Sequence, residues 1–277
     1  MSRGRGTFAA AMETSHSQPL PAGARREAML SAIRAHEFMR VTELGERFSV
    51  SEVTVRADLD ALAALGEVRR VHGGAMLIAN PRAERSFEDQ RTSHADEKTA
   101  IARAAAALVS NGDVVALDVG TTTTALATAL GAREDLSSAT VVTNGLNIAL
   151  ELERAAPRIT VVVTGGTLRP LQHSLVNPLA TMVLGTINPD ITFVGCNGVD
   201  PVRGVTNVNL PEAEVKRQML SAARRRVIVA DGSKLGQVAA VHLCPVADVD
   251  LVVTGQSAPR DVVAELEGLR VEVDVAE

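Results

Sequence analysis

The chain of 277 residues contains no tryptophan, no tyrosine and only five phenylalanines. Proteins that grip single-stranded nucleic acid stack bases on aromatic rings, so that class is excluded. Cys196 and Cys244 are the only cysteines, far apart and each in apolar surroundings. They read as reduced core thiols rather than a disulfide or metal site. The histidines lack metal-ligand spacing, so no metal is expected. No apolar run approaches the roughly 18–20 residues that span a bilayer. Arg3 and Arg5 are not followed by the hydrophobic stretch of a secretory signal. No membrane partner and a cytoplasmic location are therefore expected. The net charge of -5 excludes a surface that coats DNA throughout, so any DNA contact is local. There is no Walker loop and no Gly-x-Gly-x-x-Gly, which leaves nucleotide readings unsupported, and no cofactor is expected.

What is present falls into two patterns. Residues 1–24 are small, polar and punctuated by Pro and Gly, and read as a disordered tail. Residues 25–79 predict a small helical domain. Helical spacing begins at Arg25, with Met29, Leu30 and Ile33 on one face. A second helix fits Thr42 to Phe48, with Leu44 and Phe48 inward. A third runs from about Ser51 to Leu65, with Val55, Leu59, Leu62 and Leu65 inward and Gly66 as its stop. A strand, a glycine turn and a second strand follow over residues 67–76. Residues 80–96 are polar and charged and read as a linker. Residues 97–277 alternate apolar strands (114–118, 141–143, 159–163, 191–194, 226–230 and 251–253) with helices. Such near-continuous apolar runs predict a mostly parallel sheet buried on both faces.

Three helices with a tight turn before the third, then a hairpin, make a winged helix-turn-helix. Ser51 can cap the third helix, and Ser49 with Glu52 also matches a capping box. Glu52, Thr54, Arg56 and Asp58 are left outward near the start of that helix, where such motifs reach base edges in the major groove, and Ser51 at its cap joins the candidate DNA contacts. Ser and Thr can meet bases or phosphates, and Arg can bond guanine bidentately. Arg69 and Arg70 on the hairpin can grip phosphates or enter a minor groove.

In the second pattern the polar residues cluster at strand ends. Asp118-Val119-Gly120-Thr121-Thr122-Thr123-Thr124, Thr143-Asn144-Gly145, Thr164-Gly165-Gly166-Thr167, Gly195-Cys196-Asn197-Gly198 and Asp231-Gly232-Ser233-Lys234 each follow a predicted strand. Open α/β sheets bind ligands along that edge, so these loops should converge on one crevice. Gly120 permits close backbone approach. The N–H groups of a helix N-terminus, threonine hydroxyls and the charge of Lys234 all favour an anion. Asp118, Asn144 and Glu212 suit hydroxyl groups. The combination points to a phosphorylated polyol.

Several stretches carry a family resemblance. In the first half these are Val41-Thr42-Glu43-Leu44, Phe48-Ser49-Val50-Ser51, Thr54-Val55-Arg56, Asp58-Leu59 and Arg70-Val71-His72-Gly73-Gly74-Ala75. In the second they are Glu97-Lys98, Asp118-Val119-Gly120-Thr121-Thr122, Val142-Thr143-Asn144, Ser174-Leu175-Val176, Glu212-Ala213-Glu214-Val215-Lys216 and Ala230-Asp231-Gly232-Ser233-Lys234. Together they resemble the DeoR family of bacterial transcriptional regulators, from about Arg25 to Thr254. The resemblance implies a sensor domain related in fold to ribose-5-phosphate isomerase and glucosamine-6-phosphate deaminase. It further implies a response to phosphorylated sugars, repression of sugar-catabolic operons and a homo-oligomer. It adds His72 to the DNA-binding candidates and Lys98 to the effector-binding ones. Two positions depart from the family pattern: Ala57 stands where a second arginine usually follows, and Asn177 where Gly is common. Two other readings compete with a metabolite-controlled repressor. One is an isomerase or deaminase using Asp118, Glu212 or Asp231 for proton transfer. The other is a ligand-free architectural DNA-binding protein.

Overall fold

The computed structural model describes residues 20–36, 38–65, 67–77 and 84–277. The expected tail up to residue 19, the helix stop at Gly66 and the first part of the expected linker, residues 80–83, lie outside them. The chain divides into two compact units, Met1–Ala79 and Asn80–Glu277.

The first unit holds helices α1 (Ala22–His36), α2 (Val41–Phe48) and α3 (Glu52–Ala64), with strands β1 (Phe38–Arg40), β2 (Val68–Val71) and β3 (Gly74–Leu77). Helix α1 starts at Ala22, inside the stretch expected as tail. Met29, Ile33, Leu44, Val55 and Leu59 are wholly buried and form the core. Ser49 is left-handed (φ 53°) and closes α2, while Ser51 caps α3 by accepting from the Thr54 N–H at 3.2 Å. The capping role expected of Ser49 therefore belongs to Ser51. Two other expectations fail on α3. Leu65 lies beyond the last turn and is 74 % exposed. Asp58 is buried, because Arg25 and Arg26 on α1 both donate to its carboxylate, at 2.6 and 2.9 Å. These two bonds hold the Asp58 pKa below its usual value against the upward push of burial.

The hairpin β2–β3 turns on His72-Gly73 and is joined by β1 in a three-stranded antiparallel sheet of order β1-β3-β2. Gly74 is required there: a Cβ at this position would lie 2.3 Å from the Met39 carbonyl oxygen.

The second unit begins with α4 (Phe87–Arg91) and α5 (Ala95–Ala107), so residues 86–96 are structured rather than linker. The signal missed there was Phe87, which is 6 % exposed. There follow β4 (Val114–Leu117), α6 (Thr121–Ala132), β5 (Ala139–Thr143), α7 (Leu146–Glu153) and β6 (Ile159–Val163). The hairpin β7 (Thr167–Arg169) and β8 (Ser174–Val176) leads to α8 (Leu179–Leu184) and β9 (Ile191–Val194). Then come β10 (Gly198–Asp200), β11 (Gly204–Asn207), α9 (Leu210–Ala222), β12 (Arg225–Val229), β13 (Val241–Cys244), β14 (Leu251–Gly255), α10 (Arg260–Gly268) and β15 (Glu272–Ala276).

Seven of these strands form one parallel sheet, in the order β15-β14-β12-β9-β4-β5-β6. Residues of α5, α6 and α7 pack on one face and residues of α8, α9 and α10 on the other, each with its own apolar cluster. Burial on both faces explains the uninterrupted apolar strands in the interior of the sheet, β4, β5, β9, β12 and β14. A separate antiparallel sheet, β10-β11-β13, carries strands that the apolar pattern did not reveal. From β4 the chain winds outward through β5 and β6, then crosses back to β9 and winds the other way. The strand order therefore reverses between β4 and β9, where open α/β sheets leave a crevice for ligands at their carboxyl ends.

Candidate functional site

In the first unit the candidate DNA-reading residues lie on the start of α3 and on the wing. Arg56 is half-exposed and donates to Glu52 one turn earlier at 2.6 Å. The Ser51 and Thr54 hydroxyls bond each other at 2.9 Å. Arg69 and His72 are exposed. Arg70 instead turns back, donating to the Arg56 carbonyl at 3.0 Å and to Asp60 at 2.5 Å. It holds the wing against α3.

In the second unit a cleft of about 60 Å³ sits at the reversal between β4 and β9. The loop after β4 and the first turn of α6 supply Val119 to Thr123; the loop after β9 supplies Gly195, Cys196 and Asn197; the end of β12 and its loop supply Asp231 and Lys234. Gly120 has φ 153°, a conformation side-chain-bearing residues rarely adopt, and it swings the chain from strand to helix. The Gly120 carbonyl accepts the Thr124 N–H at 2.9 Å and the Thr123 and Thr124 hydroxyls at 3.0 and 2.7 Å. The N–H groups before Thr124 are the ones a helix start leaves without an intrahelical partner, and they carry the positive end of its dipole.

At the floor of the cleft lies a buried ion pair, of which Lys216 lines the cleft and Asp118 lies below it. The Lys216 ammonium, from α9, donates to Asp118 and to the Gly195 carbonyl, the latter at 3.0 Å. Asp118 also accepts the Gly195 N–H at 3.2 Å. Its other oxygen, Oδ1, is buried with no hydrogen-bond partner among the described residues. Burial pushes the Asp118 carboxyl up to about 6 even though Lys216 opposes it. For Lys216 burial acts downward, but the Asp118 and Glu212 charges outweigh it and leave the ammonium above its usual value. One turn earlier on α9, Glu212 is also buried, accepting from Arg169 at 2.5 Å and from the Ser174 hydroxyl at 2.6 Å.

Of the residues expected to bind an effector, Gly120, Thr121, Thr122, Thr123, Glu212 and Lys234 line the cleft, and Asp118 lies below it. The others are occupied elsewhere. Lys98 donates to the carbonyls of Gln90 and Ser93, both at 2.6 Å, and so pins α4 to α5. Asn144 is buried between the Val119 N–H and the Leu175 carbonyl and fixes the loop from behind. Gly165 (φ 68°) and Gly166 make a turn; a Cβ on Gly166 would lie 2.1 Å from the Val176 carbonyl oxygen. Lys216 was missed, although it falls four residues after Glu212 and hence on the same helical face. Glu84, Gln90, Gln172 and Asn207 also line the cleft. The first two sit in the stretch expected as linker, where nothing in the pattern marked them. Asn177 donates to Glu214 on α9 and is not among the cleft residues.

Comparison with known proteins follows the same division. A family model described as the DeoR C-terminal sensor domain matches residues 93–256, and one for a DeoR-like helix-turn-helix domain matches residues 25–80. The uncharacterized HTH-type transcriptional regulator YulB of Bacillus subtilis is 33% identical over 249 residues, covering 90% of this chain and 95% of that protein. A putative aga operon transcriptional repressor of Escherichia coli is 32% identical over 248 residues, covering 89% and 90%. Among solved structures, ribose 5-phosphate isomerase A of Methanocaldococcus jannaschii aligns with a TM-score of 0.40 and 20% identity over 52% of this chain and 55% of that one. No helix among the described residues is long and apolar enough to cross a membrane. On the two family matches and the full-length relatives, the chain belongs to the DeoR family of transcriptional regulators, a DNA-binding helix-turn-helix domain joined to a sensor domain, and is a regulator rather than an enzyme.

Proposed function

We propose that the chain is a cytoplasmic repressor of carbohydrate-metabolism genes whose hold on operator DNA changes when a phosphorylated sugar occupies the sensor cleft. One observation carries the effector class: the N-terminus of α6, Lys216 and Lys234 all line one cleft at the strand-order reversal. A phosphate there would accept from the N–H groups of Thr121, Thr122 and Thr123, with the lysines supplying countercharge. Glu212, Asn197 and Asn207 line the same cleft and suit hydroxyl groups. Repression agrees with the name of the aga operon relative.

On the DNA side, Arg56, Thr54 and Ser51 on α3 are the proposed groove contacts, with Glu52 restraining Arg56 and with Arg69 and His72 of the wing on the phosphate backbone. Arg70 supports the wing. Helix-turn-helix readers address paired half-sites, so the active form is a homo-oligomer. The test is fluorescence anisotropy of labelled DNA from the gene's own upstream region, titrated with protein at fixed salt and repeated with a panel of sugar phosphates. Binding that one phosphate reverses or strengthens is the expected result. Binding no tighter than to random DNA would refute the reading.

A further inference from the structure

Residues 84–91 form a strap along one wall of the cleft. Glu84, at its start, bonds Arg169 at 2.6 Å and Asn209 at 3.2 Å, and both Glu84 and Gln90 line the cleft. The strap lies on the turn of the β7–β8 hairpin: Gln172 donates to the Arg85 carbonyl at 2.5 Å, the Phe87 N–H to the Leu171 carbonyl at 2.9 Å, and His173 meets Glu88 at 2.8 Å. The Phe87 and His173 rings meet edge to face with centroids 5.5 Å apart. Arg169 also holds Glu212 at 2.5 Å, so one guanidinium ties the strap to a carboxylate that lines the cleft. Burial acts against its charge, but the two carboxylates prevail and hold the Arg169 pKa above its usual value.

In sequence Glu84 stands five residues after Ala79, the last residue of the DNA-binding unit. Any ligand that fills the cleft meets the segment leading directly to that unit.

We propose that the Glu84–Arg169–Glu212 bridge is the coupling element of the sensor, a reading that rests on the effector cleft proposed above. Ligand hydroxyl groups that donate to Glu212 or Glu84 compete with Arg169 for the same carboxylates and loosen the strap. A docked strap takes residues 84–91 out of the length of chain separating the two units; a released strap restores it. A longer, freer tether lowers the effective concentration of a second DNA-binding unit at its half-site. The effector therefore weakens operator binding.

The test uses the full chain and needs no identified effector. Glu84→Gln removes the charge that Arg169 holds, and Gln172→Met removes a different tether of the same strap. Hydrogen exchange at the Phe87 and Gln90 amides should quicken about ten-fold in either variant, and affinity for the upstream DNA should fall about five-fold or more, the low end of known coupling between sites. Unchanged exchange in both variants would show that the bridge does not hold the strap. Faster exchange with unaltered DNA affinity would show that the strap is not coupled to DNA binding; either result overturns the proposal. A separate arm adds inorganic phosphate to the wild-type chain. Failure to protect the Thr121, Thr122 and Thr123 amides would count against the effector cleft and leave the effect of Glu84→Gln on DNA binding standing by itself.

Discussion

At the scale of single residues, the Lys216–Asp118 pair makes the sharpest demand. Both groups are almost wholly buried, and removing one partner of such a pair leaves a charge with no compensation, at a cost of about 3–5 kcal/mol. Lys216→Met is therefore expected to lower the stability of the sensor unit by that order at about pH 8. Folding raises the Asp118 pKa to about 6 from 3.8. That carboxyl accordingly favours the folded state most when neutral, and the contribution is lost as pH rises through about 6. In the variant the neutral form needs no cation, so the deficit should narrow on acidification to about pH 5. Urea titrations at the two pH values check this; a deficit independent of pH would mean that Asp118 is not the group left stranded. Arg56 makes a different demand, because it is half-exposed and pairs with the equally half-exposed Glu52. Its loss should leave the fold intact. Arg56→Ala should weaken operator binding by about 1–3 kcal/mol, the worth of a bidentate base contact, without changing phosphate affinity.

At the scale of elements, the wing depends on a backbone approach that only glycine permits. Gly74→Ala would place a Cβ 2.3 Å from the Met39 carbonyl oxygen and 2.7 Å from the Phe38 ring. The strand β3 must then part from β1. The expected result is a loss of about 1–3 kcal/mol, as in other overpacked sites, together with weaker operator binding; thermal unfolding and anisotropy on the same sample would show both. What the sequence made legible divides along the same lines. Strands β4, β5, β9, β12 and β14 were readable because burial on both faces writes an unbroken apolar run, whereas β6 was readable from its valines although it is an edge strand with Val162 and Val163 exposed. Helix α2 was readable from its apolar stripe, and α3 from its cap and stripe. Strands β10, β11 and β13 were not, since a short antiparallel sheet beside the main one leaves no period long enough to see. The same limit explains the site. Gly120 to Thr123 follow a strand and open a helix, so their place on the edge was implied by local pattern. Asp58 looked outward by helical spacing, and only α1, distant in sequence, brings the two arginines that bury it. Asn144 looked like a ligand group because a polar side chain facing a loop carbonyl and one facing a ligand have the same sequence, whereas Lys98 was a candidate through the family resemblance alone.

At the scale of the whole molecule, each unit owns a separate core: α1 to α3 with the wing in one, and the seven-stranded sheet with its helices in the other. Chains built this way need not unfold in one step. Calorimetry should resolve two transitions, with Lys216→Met lowering one and Gly74→Ala the other. A single transition shifted by both variants would mean that the units melt together. The charge of the whole chain, -5, leaves DNA affinity to a few local cations.

Cys196 lines the cleft, and burial pushes its thiol up to about 12. Only the thiolate is readily alkylated or oxidised, so at neutral pH this sulfur is chemically quiet. Iodoacetamide at about pH 8 should label it far more slowly than a free cysteine. This wall of the cleft should therefore present the same surface in oxidising and reducing conditions, because the Cys196 sulfur on it forms little thiolate to react.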